Sequence, residues 1–163
     1  MTIYYNFYDV AGLLLIFNKE NLLERIDFAN ISEHFQQHVG HENHEYFVRF
    51  FDNYFSKKGV ELDFSRLETK GISNFYLDIY KTLSKTEFGE KITYKKLAEK
   101  AGYKNAFRAT GSAMAKNRWP VLIPCHRVVG HSSPGGYSSG IGLKLKLLDL
   151  EERYKKVMNR RLD

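Results

Sequence analysis

The single cysteine of this chain is followed directly by a histidine, within residues 124–128 (PCHRV). A thiol beside an imidazole can be an activated nucleophile, because the histidine can take the proton that the thiol must lose. Cys125 can equally be a small buried residue, with His126 as an ordinary packed neighbour. The apolar run at 121–123, between Pro120 and Pro124, predicts a buried strand or extended segment that shelters the sulfur.

The composition is that of a folded intracellular protein. The chain has 163 residues, of which 43% are apolar and 15% aromatic, enough for one large domain or two small ones. One cysteine excludes an internal disulfide, and no apolar run approaches the length of a membrane span. We therefore expect a cytoplasmic protein with no membrane partner. The chain has no C-x-x-C pattern typical of structural zinc, and we expect no metal and no cofactor.

The charge is unevenly distributed along the chain. Residues 1–70 hold 7 Lys and Arg against 11 Asp and Glu, a net charge of −4, whereas residues 71–163 hold 18 against 8, a net of +10. A strongly basic half favours a polyanionic partner such as nucleic acid. The alternative is a solvated basic surface without a partner.

The first half, residues 1–70, predicts a small α+β domain around an antiparallel sheet. Runs of aromatic and β-branched residues separated by turn-like breaks predict strands at 3–8, 13–17 and 22–28. Helical spacing predicts helices at 32–38 and 45–57, and a further strand is expected at 60–64.

The second half, residues 71–163, is predicted to be mainly helical. Ser73 is a candidate N-cap for a helix whose apolar face holds Tyr76, Ile79, Tyr80 and Leu83. Thr93 is predicted to cap a helix at 94–101, and Asn105 a second helix at 106–116. Two helices joined by a short glycine-containing turn have the outline of a helix-turn-helix, although any two adjacent helices can supply it.

The second of these helices, at 106–116, has mostly small side chains, and Arg108 and Met114 project from it. Such a helix suits close approach to a minor groove and insertion of the arginine into the base stack. Close packing against a neighbouring element would explain the small residues equally well.

A glycine- and serine-rich loop at 130–140 precedes a final helix at 141–158. Leu143, Leu147, Leu150, Tyr154 and Val157 are predicted to form its core face. An adjacent stripe of Lys144, Leu148 and Glu151 would turn Glu151 toward the loop that holds the cysteine. Glu151 can also be a solvated glutamate, with Glu152 as a rival for the same role.

Four histidines, His34, His38, His41 and His44, recur every three or four residues. His34 and His38 could bind a metal on one helical face, but Gly40 should interrupt the helix and no other ligand completes the set. A solvated histidine-rich surface is the favoured interpretation.

Taken in order, the motifs of the second half resemble the O6-alkylguanine-DNA alkyltransferase (methylated-DNA–protein-cysteine methyltransferase) family. The likeness covers roughly residues 73–152. The matching segments are 88–90 (FGE), 92–94 (ITY), 105–109 (NAFRA), 112–114 (SAM) to Asn117, 123–129 (IPCHRVV), 136–138 (GYS) and Lys144 to Glu151. The resemblance implies an N-terminal ribonuclease-H-like α/β domain at 1–70. It implies a winged-helix-like, helix-turn-helix alkyltransferase domain at 71–163.

The resemblance also implies a reaction and the residues that carry it out. Cys125 would irreversibly accept the alkyl group of O6-alkylguanine, and of O4-alkylthymine, in a single turnover. His126 would take the thiol proton through a bound water while Glu151 orients the imidazole. Asn117 resembles the asparagine hinge of the family.

The remaining roles concern the substrate. A monomer would bind double-stranded DNA through the minor groove and flip out the damaged base, and Arg108 would fill the gap in the stack. The Tyr94 hydroxyl would meet guanine N3, the Ser138 N–H would meet O6, and the carbonyls of Cys125 and Val128 would receive the exocyclic amine. Arg127, Tyr137 and Lys144 are grouped with these substrate- and DNA-binding residues.

Two other classes of protein remain as alternatives. A non-enzymatic DNA-lesion binder would share the pocket but not the cysteine, so Cys125 argues against it. A Cys/His hydrolase is disfavoured because the chain has no plausible second substrate domain and carries a DNA-binding element.

Overall fold

The computed structural model describes residues 1–30, 41–54 and 61–160. The chain divides into two compact units, Met1–Gly71 and Ile72–Asp163. In the described ranges the architecture is mixed α/β, with five α-helices and two small sheets. No helix in those ranges is long and apolar enough to cross a bilayer.

The first unit is built on a three-stranded antiparallel sheet in the order β1-β2-β3, with β1 Thr2–Phe7, β2 Ala11–Phe17 and β3 Leu23–Ala29. Leu13, Leu15 and Phe17 alternate along β2 and are buried, as expected for a strand with one core-facing side. Helix α1, Glu42–Asp52, packs on the sheet, with the Phe51 ring edge-on to the Phe7 ring at 5.9 Å. The three predicted strands are confirmed.

Other predictions for this unit need correction. The helix predicted at 45–57 begins three residues earlier, because His41 is its N-cap and accepts a hydrogen bond from the Asn43 N–H. The strand predicted at 60–64 is wrong for its described residues. Phe64–Arg66 form a 3₁₀ turn, because the Asp63 carboxylate accepts the Ser65 N–H. The helix predicted at 32–38 lies outside the described residues.

The histidine-rich segment is described only at His41 and His44, since His34 and His38 lie outside the described ranges. His41 is exposed, but His44 is buried with its ring 4.3 Å from that of Phe17. The expected solvated surface is therefore wrong for His44. Across residues 1–30, 41–54 and 61–160, no three His, Cys, Asp or Glu side chains form a metal-binding group.

The second unit contains α2 Asn74–Ser84, α3 Tyr94–Lys100, α4 Phe107–Ala115 and α5 Ile141–Arg160. Two short strands, β4 Ile92–Thr93 and β5 Val128–Val129, pair in parallel. The N-caps predicted from sequence at Ser73 and Thr93 are confirmed, since their hydroxyls accept the N–H groups of Tyr76 and Lys96. Helices α3 and α4 pack against each other, and α4 leads into the segment that holds the cysteine.

Two local predictions in this unit are wrong for backbone reasons. Asn105 does not cap α4, because its φ of +62° is left-handed rather than extended, and Ala106 is the N-cap without a side-chain bond. Residues 121–123 are buried but form a turn instead of a strand. Val121 has a φ of +73°, and the Ile123 N–H reaches back to the Trp119 carbonyl.

Helix α5 buries part of the predicted core face together with the predicted adjacent stripe. Leu147 and Leu150 are buried as expected, but so are Lys144, Leu148 and Glu151, whereas Tyr154 and Val157 are 38% and 48% exposed. The last turns of α5 therefore carry apolar side chains into solvent. Glu151 is directed inward and its rival Glu152 is exposed.

Candidate active site

Cys125 begins a short 3₁₀ turn, Cys125–Arg127, directly after Pro124. Its side chain is buried, and the Asn117 Nδ2 donates to Sγ at 3.2 Å and to the Ile123 carbonyl at 2.8 Å. The Asn117 Oδ1 accepts the Trp119 N–H at 3.0 Å. One amide side chain, two residues beyond the end of α4, therefore holds both the loop and the sulfur.

His126 and Glu151 form a buried pair, with Nε2 of the imidazole 2.7 Å from Oε1 of the carboxylate. Burial raises the pKa of Glu151, but hydrogen bonds from His126 and Arg127 and the positive charge of Arg127 outweigh it, so the pKa falls well below its usual range. Burial lowers the pKa of His126, although the bond to Glu151 opposes the shift. An ionised carboxylate only accepts hydrogen bonds, so Nε2 of the neutral imidazole carries the hydrogen and Nδ1 carries the lone pair.

Nδ1 of His126 is buried, and no hydrogen-bond partner reaches it from the described residues. The lone pair on this atom is thus available as a base. Because Nε2–H is held by Glu151, the orientation of the ring is fixed while Nδ1 is left to react.

Arg127 lies beside Glu151 and not on a surface that DNA could contact. The side chain is 4% exposed, and its guanidinium makes contacts of 3.0 and 3.1 Å with both Glu151 oxygens. It also donates to the hydroxyl and the carbonyl of Thr86. The sequence-based grouping of Arg127 with the DNA-binding residues is therefore corrected by its burial.

Sequence reasoning misses two contributors to this network. Thr86 receives the guanidinium, and the Gly89 N–H donates to Glu151 Oε2 at 2.7 Å. Gly89 has a φ of +71°, which favours glycine. Its place in the segment 88–90 (FGE), within the family resemblance, is the signal that could have found it. Thr86 carries none.

Lys144, which the sequence groups with the substrate- and DNA-binding residues, is fully buried. Its Nζ donates to the Val128 carbonyl at 2.6 Å and to the Gly136 carbonyl at 3.2 Å. This pair of hydrogen bonds, which we call the lysine clasp, joins β5 to the glycine-rich loop 130–140. Burial lowers the pKa of Lys144, and the nearby Cys125 thiolate opposes that shift.

The state of the thiol depends on opposing influences. Burial raises the pKa of Cys125, whereas hydrogen bonding from Asn117 and Tyr137 and the charge of Lys144 lower it. Desolvation favours the thiol, and the surrounding donors favour the thiolate. Burial dominates, so the pKa of Cys125 is raised overall, and the surrounding donors offset part of the cost of forming the anion when a base removes the proton.

The other predicted substrate residues lie on two elements and the loop. Tyr94 starts α3, and its hydroxyl oxygen is 2.9 Å from the position that a Cβ at Gly135 would occupy. Burial and the Cys125 charge raise the pKa of Tyr94. Ser138 is exposed in the loop, and Tyr137 is partly buried. Arg108 is exposed on α4, outside the buried network.

Comparison with known proteins gives consistent matches. The model of the 6-O-methylguanine DNA methyltransferase DNA-binding domain matches residues 74–153. A methylated-DNA–protein-cysteine methyltransferase of Sulfurisphaera tokodaii is 34% identical over 154 residues, covering 93% of this chain and 94% of the relative. Another, of Metallosphaera sedula, is 36% identical over 148 residues, covering 90% of each.

Solved structures are similar over almost the whole chain. The O6-methylguanine-DNA methyltransferase of Pyrococcus kodakaraensis has a TM-score of 0.67 and 26% identity, covering 92% of this chain and 97% of that one. The Mycobacterium tuberculosis OGT in complex with DNA has a TM-score of 0.67 and 25% identity, covering 94% and 93%.

Proposed function

Because this chain belongs to the methylated-DNA–protein-cysteine methyltransferase family, we propose that it repairs DNA by transferring the alkyl group of O6-alkylguanine to Cys125. One observation carries the proposal. The single thiol is buried beside a donating asparagine and next in sequence to an imidazole that an ionised glutamate holds. The alkyl carbon of O6-alkylguanine is open to in-line attack by such a thiolate.

The reaction balances within the groups of the site. The Cys125 thiolate attacks the alkyl carbon, the C–S bond forms as the C–O6 bond breaks, and the electron pair goes to guanine. The thiol proton passes through a water to Nδ1 of His126, whose lack of a partner in the described ranges supports this role. Glu151 then stabilises the imidazolium through the 2.7 Å contact to Nε2.

The leaving guanine anion needs hydrogen-bond donors that stabilise its negative charge. The Tyr94 hydroxyl donates near N3 and the Ser138 N–H near O6, while the Cys125 and Val128 carbonyls receive the exocyclic amine. A Cβ at Gly135 would meet the Tyr94 hydroxyl, so the start of α3 and the loop lie side by side, which supports a pocket formed by the two. The Val128 carbonyl also accepts from Lys144, so its second lone pair serves the base.

The substrate in this proposal is duplex DNA, bound through the minor groove with the damaged nucleotide flipped out. The target atom is unreachable inside the stack, so extrusion must precede transfer. Exposed Arg108, on a helix with small neighbours such as Ala109 and Ser112, supports insertion of the guanidinium into the gap. The charge of +10 on residues 71–163 supports a polyanionic partner.

The proposal also covers the folds of the two units. We assign residues 1–70 to a ribonuclease-H-like domain, which the antiparallel sheet and α1 support. Residues 71–163 are assigned to a winged-helix-like domain with α3 and α4 as the helix-turn-helix. The protein acts as a monomer and also accepts O4-alkylthymine. It reacts once, because the thioether that forms on Cys125 is chemically stable in neutral water.

Incubation with duplex DNA that carries radiolabelled O6-methylguanine tests the proposal. One label per protein molecule is expected, retained after denaturation and located on the peptide that contains Cys125. Cys125→Ser should bind the DNA without accepting label. Labelling of that variant, or binding without any transfer by the native chain, would overturn the assignment.

A further inference from the structure

An aromatic side chain is exposed at the start of α4, next to Arg108. Phe107 is the first residue of the helix, and 46% of its surface is exposed. Its ring centroid lies 5.9 Å from the guanidinium carbon of Arg108. Phe107 is the large apolar side chain on the exposed part of α4, and it lies beside the arginine that the proposed function inserts into the base stack.

The helix geometry places Phe107 at a border of the exposed face. Thr110, Ala113 and Met114 are buried, whereas Arg108 and Ser112 face solvent. With a rotation of about 100° per residue, Arg108 lies near the middle of the exposed face and Phe107 at one edge. A Cβ added at Gly111, one turn further along the helix, would meet nothing within 4 Å, so the surface beside the ring is open.

From this arrangement we infer that Phe107 is a second wedge, which contacts the base step next to the one that Arg108 enters. The inference rests on the proposed function and adds a positioning residue to it. The ring and the guanidinium lie 5.9 Å apart, within two base-pair rises of about 3.4 Å each, so a duplex that Arg108 enters brings an adjacent base step within reach of the ring. Apolar wedges such as phenylalanine unstack base steps from the minor groove and kink the duplex.

The occupant of this surface is therefore duplex DNA and not a protein. The positive charge of residues 71–163 matches a polyanion, and Arg108 supplies a cation at the ring itself. The wedge favours the extruded state of the nucleotide and leaves the chemistry at Cys125 untouched. Its contribution consequently appears with a stacked substrate and vanishes with a free base.

Two substrates distinguish this role from a structural one. Transfer rates are measured for the full chain with a duplex carrying O6-methylguanine and with free O6-benzylguanine. Phe107→Ala should slow transfer from the duplex about tenfold, equal to about 1.4 kcal/mol, and leave the free-base rate unchanged. Phe107→Tyr should restore the duplex rate, and Leu145→Ala, which alters a residue 49% exposed on α5, should change neither.

Each result decides the question. Equal duplex rates for the native chain and Phe107→Ala overturn the wedge, as does an equal loss with both substrates, which indicates a structural role. If the native chain transfers no alkyl group at all, the proposed function fails instead. The two failures are thus separate.

Discussion

Removing both Arg127 and Glu151 should destabilise the protein by less than the sum of the losses caused by removing each one alone. The two side chains are 4% and 1% exposed and make contacts of 3.0 and 3.1 Å. Deleting one partner leaves the other charge buried, at a cost of about 3–5 kcal/mol. Arg127→Met and Glu151→Gln each leave such a charge or its unpaired donors, whereas the double variant leaves neither.

The destabilisation of the double variant should therefore be smaller than the sum of the two single destabilisations. We expect a coupling energy of about 2–3 kcal/mol in this cycle. Urea titration at pH 7.5, followed by the fluorescence of Trp119, measures it. This is the only tryptophan of the chain and is fully buried in the same unit.

Transfer rates should follow a different pattern. Glu151→Gln removes the charge that stabilises the imidazolium, a hydrogen bond to a charged group worth about 1.5–3 kcal/mol, so transfer should slow about 10- to 100-fold. The double variant should be as slow as Glu151→Gln, although its loss of stability is smaller than the sum of the single losses. Two results would refute the assignment of Glu151 and Arg127 to one network that acts through His126. One is single stability losses that simply add in the double variant, and the other is a double variant that transfers faster than Glu151→Gln.

Three further predictions concern His126, Asn117 and Gly135. Burial lowers the pKa of His126, so the unfolded state binds more protons below pH 6.5. Urea titrations should show unfolding free energy falling from pH 6.5 to 5, with a smaller slope in His126→Asn. Asn117→Ala removes the donor to the sulfur, so transfer at pH 7.5 should slow about tenfold and the pH–rate profile should move to higher pH; an unshifted profile contradicts the role. Gly135 has a φ of +72°, and Gly135→Ala places a Cβ 2.9 Å from the Tyr94 hydroxyl. By calorimetry this change should destabilise the protein by more than about 1 kcal/mol, whereas Gly136→Ala, with open space, should not.

Local chemistry makes part of the structure predictable from sequence. Ser73 and Thr93 are recognisable as N-caps because a hydroxyl before an amphipathic run satisfies a free N–H in any context. The three strands follow from alternating residues between turn-like breaks. Glu151 is distinguished from Glu152 because helical spacing directs only one of them inward.

Other features depend on tertiary contacts that no local pattern records. Arg127 follows a histidine in a basic half, so its charge indicates DNA, but the 3₁₀ turn directs it toward Glu151. Asn105 has the side chain of an N-cap, yet the turn before α4 needs a left-handed residue there. Tyr154 keeps helical spacing on α5, where the described part of the chain does not cover it well enough to bury it.

The lysine clasp decides which positions of the loop are open to variation. Lys144 donates a hydrogen bond to the Gly136 carbonyl within the loop 130–140. In the same loop the Gly130 N–H donates to the Ser133 carbonyl, and the Gly140 N–H donates to the Tyr137 carbonyl. These attachments are to backbone, so they are indifferent to the side chains that the loop carries. Exposed loop residues such as Ser138 and Ser139 can thus be exchanged while the loop keeps its course and the clasp stays in place.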